Sequence, residues 1–296
     1  MSYNTETINA QFINQAFMSK LDAGLEKEAG VAMSAFVRQK LREEGFTRKI
    51  LEPTMVSAAE LDRQLTEEPT VIVEKEPDSV AANLPFLGRP EPRYFTGLRY
   101  PVTFHKIQSA EFKKSKFELA TYRTDIRTVL QENSVKDLQK QEDENFYNSI
   151  LAVAQANGKM YSVTGGFSVS NLMEGVKYLT KNQVPVGSIL MTQSMYADLI
   201  KQPSTQFGSP LASGLASGER SLDNFFGFKI ITTNKNDILP DNRVLFFTAP
   251  QYLGQFYILQ DATVFLKTEA DMVSFTTYSA PGIGIGNING VVSLDF

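Results

Sequence analysis

The sequence predicts an α+β fold in which a long helix lies across a sheet and further strands follow. Three observations support this prediction. Apolar residues recur at helical spacing for several turns after Ser134. Short strand-like segments, separated by turns such as "NKNDILPDN", fill the chain from Phe228 onward. A proline-rich stretch of about 25 residues separates the strand-like segments "TVIVEKE" and "YPVTFHKI" and is longer than most connections in compact domains.

The N-terminal segment, from Thr5 to Gly45, predicts two amphipathic helices with a break near Gly30. Apolar residues recur at helical spacing at Phe12, Ile13, Ala16, Phe17, Leu21, Phe36, Val37 and Leu41. Because these apolar stripes are modest, we expect the segment to be an arm that packs on something else, such as an adjoining subunit.

The clearest element is a helix from about residue 135 to 157. Ser134, with Asp137 three residues on, is typical of a capping box, and Asn157-Gly158 supplies a stop. Its apolar face contains Val135, Leu138, Phe146, Ile150, Val153 and Ala154.

Further elements follow in order. A second helix is expected over residues 169–182 with Ser168 as its cap, then "GSILMT" as a buried strand and "QSMYADLIKQ" as a short helix. Residues 203–221, rich in Ser, Gly and Ala, predict a mobile loop. Strands are predicted for "FKIITT", "RVLFFTA", "YLGQFYIL", "TVFLKTE", "MVSFTTYSA" and the closing glycine run.

Composition excludes several classes of function. The 296 residues include no cysteine and one histidine, His105, so we expect no metal or cofactor and little histidine-dependent catalysis. A net charge of −4 gives no broad attraction to nucleic acid. Since no apolar run approaches the roughly 20 residues that span a bilayer, we expect a soluble, intracellular protein without membrane contact.

The run "GIGIGNING" raises the question of phosphate binding. Its glycines Gly282, Gly284 and Gly286 are spaced every second residue, and "VVSLDF" after the run leaves no room for a helix that would direct amide groups at a phosphate. The alternation fits a strand. We therefore expect Ile283 and Ile285 to face the long helix, with the glycines keeping the opposite face thin where another layer approaches.

The segment "QEDEN", residues 141–145, is the densest carboxylate cluster on the long helix. Glu142 falls within the apolar face, so its carboxylate is expected to be buried. A buried carboxylate can serve as a general acid with a raised pKa. Without a neighbouring histidine, a metal motif or a second converging carboxylate, an ion pair with an Arg or Lys is favoured.

Lysines and phenylalanines interleave in "FKKSKF", residues 112–117. Such a segment can contact nucleic-acid phosphates or stack on bases, but lysines on an exposed strand more often protect a sheet edge. The net acidity of the chain favours the second interpretation. His105 lies among aromatic residues in a strand-like segment, where we expect it to be packed or exposed rather than catalytic.

The order of these segments resembles that of the major capsid proteins of tailed bacteriophages, which share the Hong Kong ninety-seven-type fold. The resemblance covers most of the chain from about residue 68 onward. It rests on the order and character of the segments rather than on an invariant motif. The segments that carry it are the arm, the proline-bearing excursion, the acidic helix, "GSILMTQSMYADLIKQ", the Ser/Gly loop, "FGFKIITTN", "LFFTAPQYLGQF" and the closing strands.

This resemblance implies an α+β capsid fold with a long spine helix on a β-sheet in a peripheral domain, a mixed-sheet axial domain, an extended β-hairpin loop and an N-terminal helical arm. The Ser/Gly loop would lie toward the five-fold or six-fold axis. The implied ranges are 1–50 for the arm, 51–133 for the extended loop (about 74–103) with flanking strands, 134–184 for the peripheral domain with the spine helix, 185–270 for the axial domain, and 271–296 for closing strands of the peripheral domain.

The resemblance also implies a structural function rather than an enzymatic one. The chain would assemble with itself into pentamers and hexamers of an icosahedral shell that encloses double-stranded DNA by non-specific contact. Scaffolding, portal and decoration proteins are the implied partners, and the location is a virion capsid assembled in the host cytoplasm. The short segment ahead of the excursion implies a separate scaffolding protein, and no residue pair here is identifiable with the lysine–asparagine cross-link of the best-known member.

Other functions stay open. An encapsulin-like compartment shares the fold but encloses enzymes, and sequence features barely separate it from a capsid. A small-molecule enzyme would use Glu142 with Tyr or Lys partners and would need a pocket with converging polar groups. A phage tail or neck protein is disfavoured by the single long spine helix.

Overall fold

The computed structural model describes residues 5–61, 68–75, 97–121, 125–201, 224–225 and 227–296, together with residues 83, 85, 86 and 88. Two β-sheets, a two-stranded ribbon and the helices packed on them confirm the predicted α+β class. Over these ranges, no helix has the length and apolar character needed to cross a membrane.

Three helices begin the chain and the others are interspersed among the strands, with a π-helical turn over Gln131–Val135 between α5 and α6. The described helices are α1 (Thr5–Asp22), α2 (Glu26–Glu44), α3 (Thr47–Ile50), α4 (Lys116–Ala120), α5 (Ile126–Leu130), α6 (Lys136–Ala156), α7 (Val169–Thr180), α8 (Gln193–Ile200) and α9 (Pro250–Leu253).

The strands form two larger sheets and one ribbon. They are β1 (Pro53–Met55), β2 (Thr70–Lys75), β3 (Leu98–Thr103), β4 (Ile107–Gln108), β5 (Phe112–Ser115), β6 (Met160–Ser162), β7 (Val186–Thr192), β8 (Asn224–Phe225), β9 (Phe228–Thr233), β10 (Arg243–Thr248), β11 (Gln255–Glu269), β12 (Met272–Gly284) and β13 (Val291–Asp295).

A long antiparallel hairpin, β11–β12, is the centre of the five-stranded sheet, whose order is β1-β11-β12-β4 with β5 also on β12. The six-stranded sheet has the order β6-β13-β10-β7-β9-β8 and is mixed, since β6 and β9 pair in parallel with β13 and β7. β2 and β3 pair with each other as the ribbon. Helix α6 contacts β12 of one sheet and β13 of the other, so it joins the two.

The spine helix begins earlier than the sequence predicts. α5, the π turn and α6 follow one another without a break, and Asp125 caps the start by accepting a 2.8 Å hydrogen bond from the Arg127 amide. Ser134 is therefore not a cap. Its buried hydroxyl accepts a 2.8 Å hydrogen bond from Thr277 on β12, so Ser134 lies inside the continuous helix and not at its start.

The N-terminal helices break at residues 23–25, where Gly24 has φ +73°, and not near Gly30. Gly30 lies inside α2, where a Cβ would come within 2.9 Å of the Val264 carbonyl oxygen, so its role is close approach to β11. The arm packs on its own chain, contrary to the expectation of a neighbouring subunit. Its buried residues Phe17, Leu21, Met33, Val37 and Leu41 share one apolar cluster with Val264, Val273 and Phe275 of the hairpin.

The two sheets do not divide the chain at residue 270, because β11 pairs with β12 and β13 lies between β6 and β10. The ranges 185–270 and 271–296 thus each supply strands to both sheets, and their assignment to separate domains stays a prediction. The predicted mobile loop at 203–221 lies outside the described residues.

Candidate functional site

The ribbon of β2 and β3 lies at the two ends of the range 74–103 that is predicted to be an extended loop. Its strands pair antiparallel, from Thr70 opposite Thr103 to Lys75 opposite Leu98. β-Branched residues at 71–73 suit a pleated strand. An exposed ion pair joins the Glu74 carboxylate to the Arg99 guanidinium at 3.0 Å. The intervening loop lies mostly outside the described residues.

The base of the ribbon rests on the glycine stripe, which we define as Gly282, Gly284 and Gly286. Three alternate side chains each lie over one of these glycines, and a Cβ placed on the glycine would nearly touch the side chain above it. The pairs are Tyr100 over Gly286 (2.9 Å), Val102 over Gly284 (2.8 Å) and Phe104 over Gly282 (2.9 Å). Any side chain on the stripe would therefore displace the ribbon.

The opposite face of the same segment packs inward. Ile283 and Ile285 contact the apolar cluster that contains Phe146 and Ile150 of α6, as the alternation predicts. β12 ends at Gly284, so Ile285 and Gly286 lie beyond the strand that the sequence predicts for the whole run. Since these glycines have no positive φ and β13 follows them, they form no cradle of amides for a phosphate.

Glu142 has the ion-pair partner that the sequence analysis favours, and that partner is Arg48 of α3. The Arg48 Nη2 and Nε atoms donate to the two carboxylate oxygens at 2.7 and 2.9 Å. Nη2 also donates to Asp261 on β11 at 3.2 Å. All three side chains are at most 7% exposed, so this bidentate contact ties the arm, the spine helix and the hairpin together in the interior.

A second buried carboxylate lies beside the first. Asp143 accepts hydrogen bonds from the Thr47 amide at 3.0 Å and from the Thr47 hydroxyl at 2.6 Å. The Lys235 ammonium pairs with its other oxygen at 2.6 Å. Glu142 and Asp143 of α6 thus bind Arg48 and Thr47 of α3, respectively.

The chemistry available at Glu142 is limited by its partner. Burial raises the pKa of Glu142, and the hydrogen bonds and charge of Arg48 oppose that rise. The carboxylate borders a cleft of about 270 Å³ with Thr103, Asn145 and Ser149, and exposed His105 lies at the same cleft. Among the described residues, no three His, Asp or Glu side chains converge in a way that could hold a metal ion.

The lysine-rich segment forms β5 and the start of α4. Lys113 lies between Glu269 at 3.1 Å and Glu111 at 3.8 Å. The described contacts of β5 place it on β12 at a sheet edge. Acidic neighbours balance this basic strand, which agrees with edge protection better than with nucleic-acid binding.

Sequence reasoning missed the residues that complete these arrangements. Arg48 is 94 positions from Glu142, and nothing in "FTRKI" distinguishes it from an exposed arginine. A signal did exist for the ribbon base, because large residues alternate at 100, 102 and 104 just as glycines alternate at 282, 284 and 286. Large side chains that alternate in one segment and glycines that alternate in another can indicate that the two segments pack face to face.

Comparisons with known proteins give structural matches only, since no family model and no curated protein matches the sequence. A structure from Microbacterium phage Oxtober96 has a TM-score of 0.60 and 12% identity, covering 85% of this chain and 91% of the other. The capsid of cyanophage P-SCSP1u has a TM-score of 0.57 and 11% identity, covering 83% and 86%. The SrpI encapsulin complex from Synechococcus elongatus has a TM-score of 0.57 and 12% identity, covering 84% and 86%.

The similar structures include a cyanophage capsid and an encapsulin complex, and each match extends over most of both chains. At sequence identities this low, the structural matches show the fold and do not show the activity. The chain has the Hong Kong ninety-seven-type capsid fold that the order of its segments predicts.

Proposed function

We propose that this chain is a major capsid protein that assembles into pentamers and hexamers of an icosahedral shell. The observation that carries the proposal is the match to two capsid structures over 83% and 84% of the chain, at a sequence identity too low to reflect anything but the fold. The ribbon supports it as well, because β2 and β3 lead into a long excursion whose described turn exposes the ring of Phe86.

Rings of five or six require heterologous contacts, in which one patch of a subunit meets a different patch of the next. Exposed apolar side chains on the described surface offer such patches, notably Phe12 of α1 at 70% exposure and Phe86 at 105%. Many modest contacts between subunits then sum to a stable shell.

The proposed contents are double-stranded DNA, held without sequence preference. With a net charge of −4, the chain gives only local attraction to phosphates. Scaffolding, portal and decoration proteins are the proposed partners, and the proposed location is a virion capsid that assembles in the host cytoplasm. In this function Glu142 and the glycine stripe are structural residues, without a catalytic role.

Electron microscopy of the purified, expressed protein tests the shell. Icosahedral particles with five-fold and six-fold capsomers would support the proposal, and a monodisperse monomer or dimer under all assembly conditions would contradict it. Co-expression with the genes that neighbour it supplies a scaffolding protein where one is needed.

An encapsulin-like compartment is the second candidate, because the encapsulin complex matches as closely as the cyanophage capsid does. Particles isolated from the natural source and treated with nuclease separate the two. Protected double-stranded DNA supports the capsid, whereas an enclosed enzyme without DNA supports the compartment.

A further inference from the structure

The chain contains two Asn-Gly pairs, Asn157-Gly158 and Asn289-Gly290. Such a pair is prone to lose ammonia from its side chain, because glycine has no Cβ to keep its main-chain nitrogen away from the asparagine Cγ atom. In each pair the glycine amide donates a 3.1 Å hydrogen bond to the carbonyl three residues earlier. The attacking nitrogen is therefore held alike in the two pairs, and neither sequence nor this hydrogen bond distinguishes them.

The two asparagine side chains differ in their surroundings. The Asn157 Nδ2 atom donates to the Val153 carbonyl at 2.9 Å and to the Ile288 carbonyl at 3.3 Å, which fixes the amide group at the end of α6. Asn289 is exposed, and its side chain has no hydrogen bond to the described residues. It borders a cleft of about 520 Å³ that Tyr100 of the ribbon also lines. The Asn289 amide group can therefore rotate, and water has access to it.

The glycine of the second pair is required by packing. A Cβ on Gly290 would come within 2.7 Å of the Thr248 Cγ2 atom on β10. The Gly290 carbonyl also accepts a 2.9 Å hydrogen bond from the Thr248 amide, so the two main chains are held close together. A larger residue at 290 would push the turn away from β10. The fold thus demands the glycine that makes its neighbour Asn289 reactive.

We propose that Asn289 is a site of spontaneous deamidation in the folded protein and that Asn157 is protected from this reaction. The Gly290 nitrogen attacks the Asn289 Cγ atom, a C–N bond forms, and the side-chain nitrogen leaves as ammonia with the proton of the Gly290 amide. Water then opens the cyclic imide at one of its two C–N bonds. Opening at Cγ gives aspartate, and opening at the main-chain carbonyl gives isoaspartate, in which the main chain passes through Cγ. The reaction needs no cofactor and no partner subunit, so it is independent of the proposed function.

Isoaspartate at residue 289 would disturb the junction between α7 and β13. The Asn289 carbonyl accepts a 3.0 Å hydrogen bond from Nδ2 of Asn182, whose Oδ1 in turn accepts one of 3.0 Å from the Lys159 ammonium. An extra main-chain carbon would move this carbonyl and shift fully buried Val291, the first residue of β13. Aspartate, by contrast, adds a charge at an exposed position and leaves the main chain unchanged.

Peptide mapping of the wild-type protein tests the assignment without any substitution. The protein is incubated in mildly alkaline buffer, where more of the attacking amide is deprotonated, and is then digested with trypsin. Cleavage after Lys140, Lys159 and Lys267 places the two sites in the separate peptides 141–159 and 268–296. Tandem mass spectrometry locates and quantifies the conversion of each asparagine. The same incubation in concentrated urea gives the rates in the unfolded chain.

We expect Asn289 to convert at least about tenfold faster than Asn157 in the folded protein. In urea the two should convert within about twofold of each other, because the contacts that hold Asn157 are lost there. Equal rates in the folded protein would overturn the proposal, as would faster conversion of Asn157. Conversion of Asn289 in the folded protein at less than about one tenth of its rate in urea would overturn it as well.

Thermal unfolding of aged protein measures the consequence for β13. Aged wild type should contain a fraction whose thermal midpoint is lowered by about 2–4 °C, in proportion to its isoaspartate content. Equally aged Asn289→Gln should lack this fraction, because the longer side chain would have to close a six-membered ring, which forms far more slowly. Asn289→Asp carries the new charge without the extra main-chain carbon and should melt within about 1 °C of fresh wild type. An equal loss of stability in Asn289→Asp would overturn the assignment of the effect to the main chain.

Discussion

Arg48 is the residue through which the arm is tied to the interior. Its guanidinium holds Glu142 and Asp261 where none of the three side chains has significant contact with water. A buried ion pair gains little net stability, but removal of one partner leaves an uncompensated charge in a medium of low polarity. The arrangement therefore constrains which arm conformations are compatible with a folded spine helix.

Replacing Arg48 with methionine should lower the free energy of unfolding by about 3–5 kcal/mol at neutral pH. Burial already raises the pKa of Glu142, and loss of the arginine that opposes this shift should raise that pKa further. A carboxyl with a raised folded-state pKa contributes most stability below its unfolded pKa and loses it as the pH rises through the folded value. The deficit of the variant should therefore grow as the pH rises from about 4, near the unfolded-state pKa of a glutamate, through neutrality.

Denaturant unfolding of wild type and variant across that pH range measures the effect. Exposed Arg42→Met on α2 is the control and should shift stability by less than about 0.5 kcal/mol. A deficit for Arg48→Met that is constant with pH would contradict the assignment of the effect to Glu142.

Gly284 is the second residue whose replacement we expect to destabilise the structure. A valine there would press on Val102 at 2.8 Å and on the Tyr257 ring at 3.3 Å, and overpacking of this kind costs about 1–3 kcal/mol. We expect Gly284→Val to lower the thermal midpoint more than Gly284→Ala does, and to reduce shell yield. Ile288→Ala, at an exposed position just beyond the stripe, should leave both unchanged.

At the scale of elements, the spine helix and the hairpin are joined by a contact that sequence patterns conceal. Ser134 lies in the π turn, fully buried, and meets the hydroxyl of fully buried Thr277. A π turn inserts one extra residue into a helix and often marks a site with a particular role. Here the π turn places the Ser134 hydroxyl against β12 in the middle of the spine helix.

A double-mutant cycle measures that contact. Ser134→Ala and Thr277→Val should each lower the free energy of unfolding by about 1–3 kcal/mol, since each leaves a buried hydroxyl without its partner. The double variant should be destabilised by clearly less than the sum, because no orphaned hydroxyl remains. Additive effects in denaturant unfolding would show that the two hydroxyls do not depend on each other.

Elements with strong local signals could be predicted from the sequence. The apolar period of α6 and α7, the Ser168 cap and the alternation around Ile283 all reflect interactions within a few residues along the chain. The start of the spine helix was misplaced because a local capping pattern at Ser134 competes with a long-range partner on β12. The helix break predicted near Gly30 is wrong for a similar reason, because this glycine allows α2 to lie close to β11.

For the molecule as a whole, the proposed function predicts that the segment between β2 and β3 contacts a neighbouring subunit. Replacing residues 76–97 with a two-residue Asn-Gly turn joins Lys75 to Leu98, which lies opposite it, and keeps the ribbon on the glycine stripe, because the described strands and the residues over the stripe lie outside that range. We expect a folded, unassembled subunit with a thermal midpoint near that of the wild type. Size-exclusion chromatography and electron microscopy check this, and shells of normal appearance would contradict a role for the loop in assembly.

The sequence supports prediction of the fold better than of the site. Segment order was sufficient for the class and for the capsid-type architecture, because order and character survive when identity falls to 11% or 12%. The Glu142 carboxylate could be placed in the interior from helical periodicity, but the identity of its partner depends on how the arm crosses the spine helix. That crossing is set by the fold of the whole chain and not by a local pattern in the sequence.

The strand pairing of this chain also affects how it is made. Pro53 lies opposite Phe256 in one sheet, and Ser162 lies opposite Asp295 in the other. During synthesis, neither sheet can close until these late residues have left the ribosome, and pairing between such distant segments is slow. Until then the growing chain exposes unpaired strand edges, which are the parts of a protein most prone to pair with other copies.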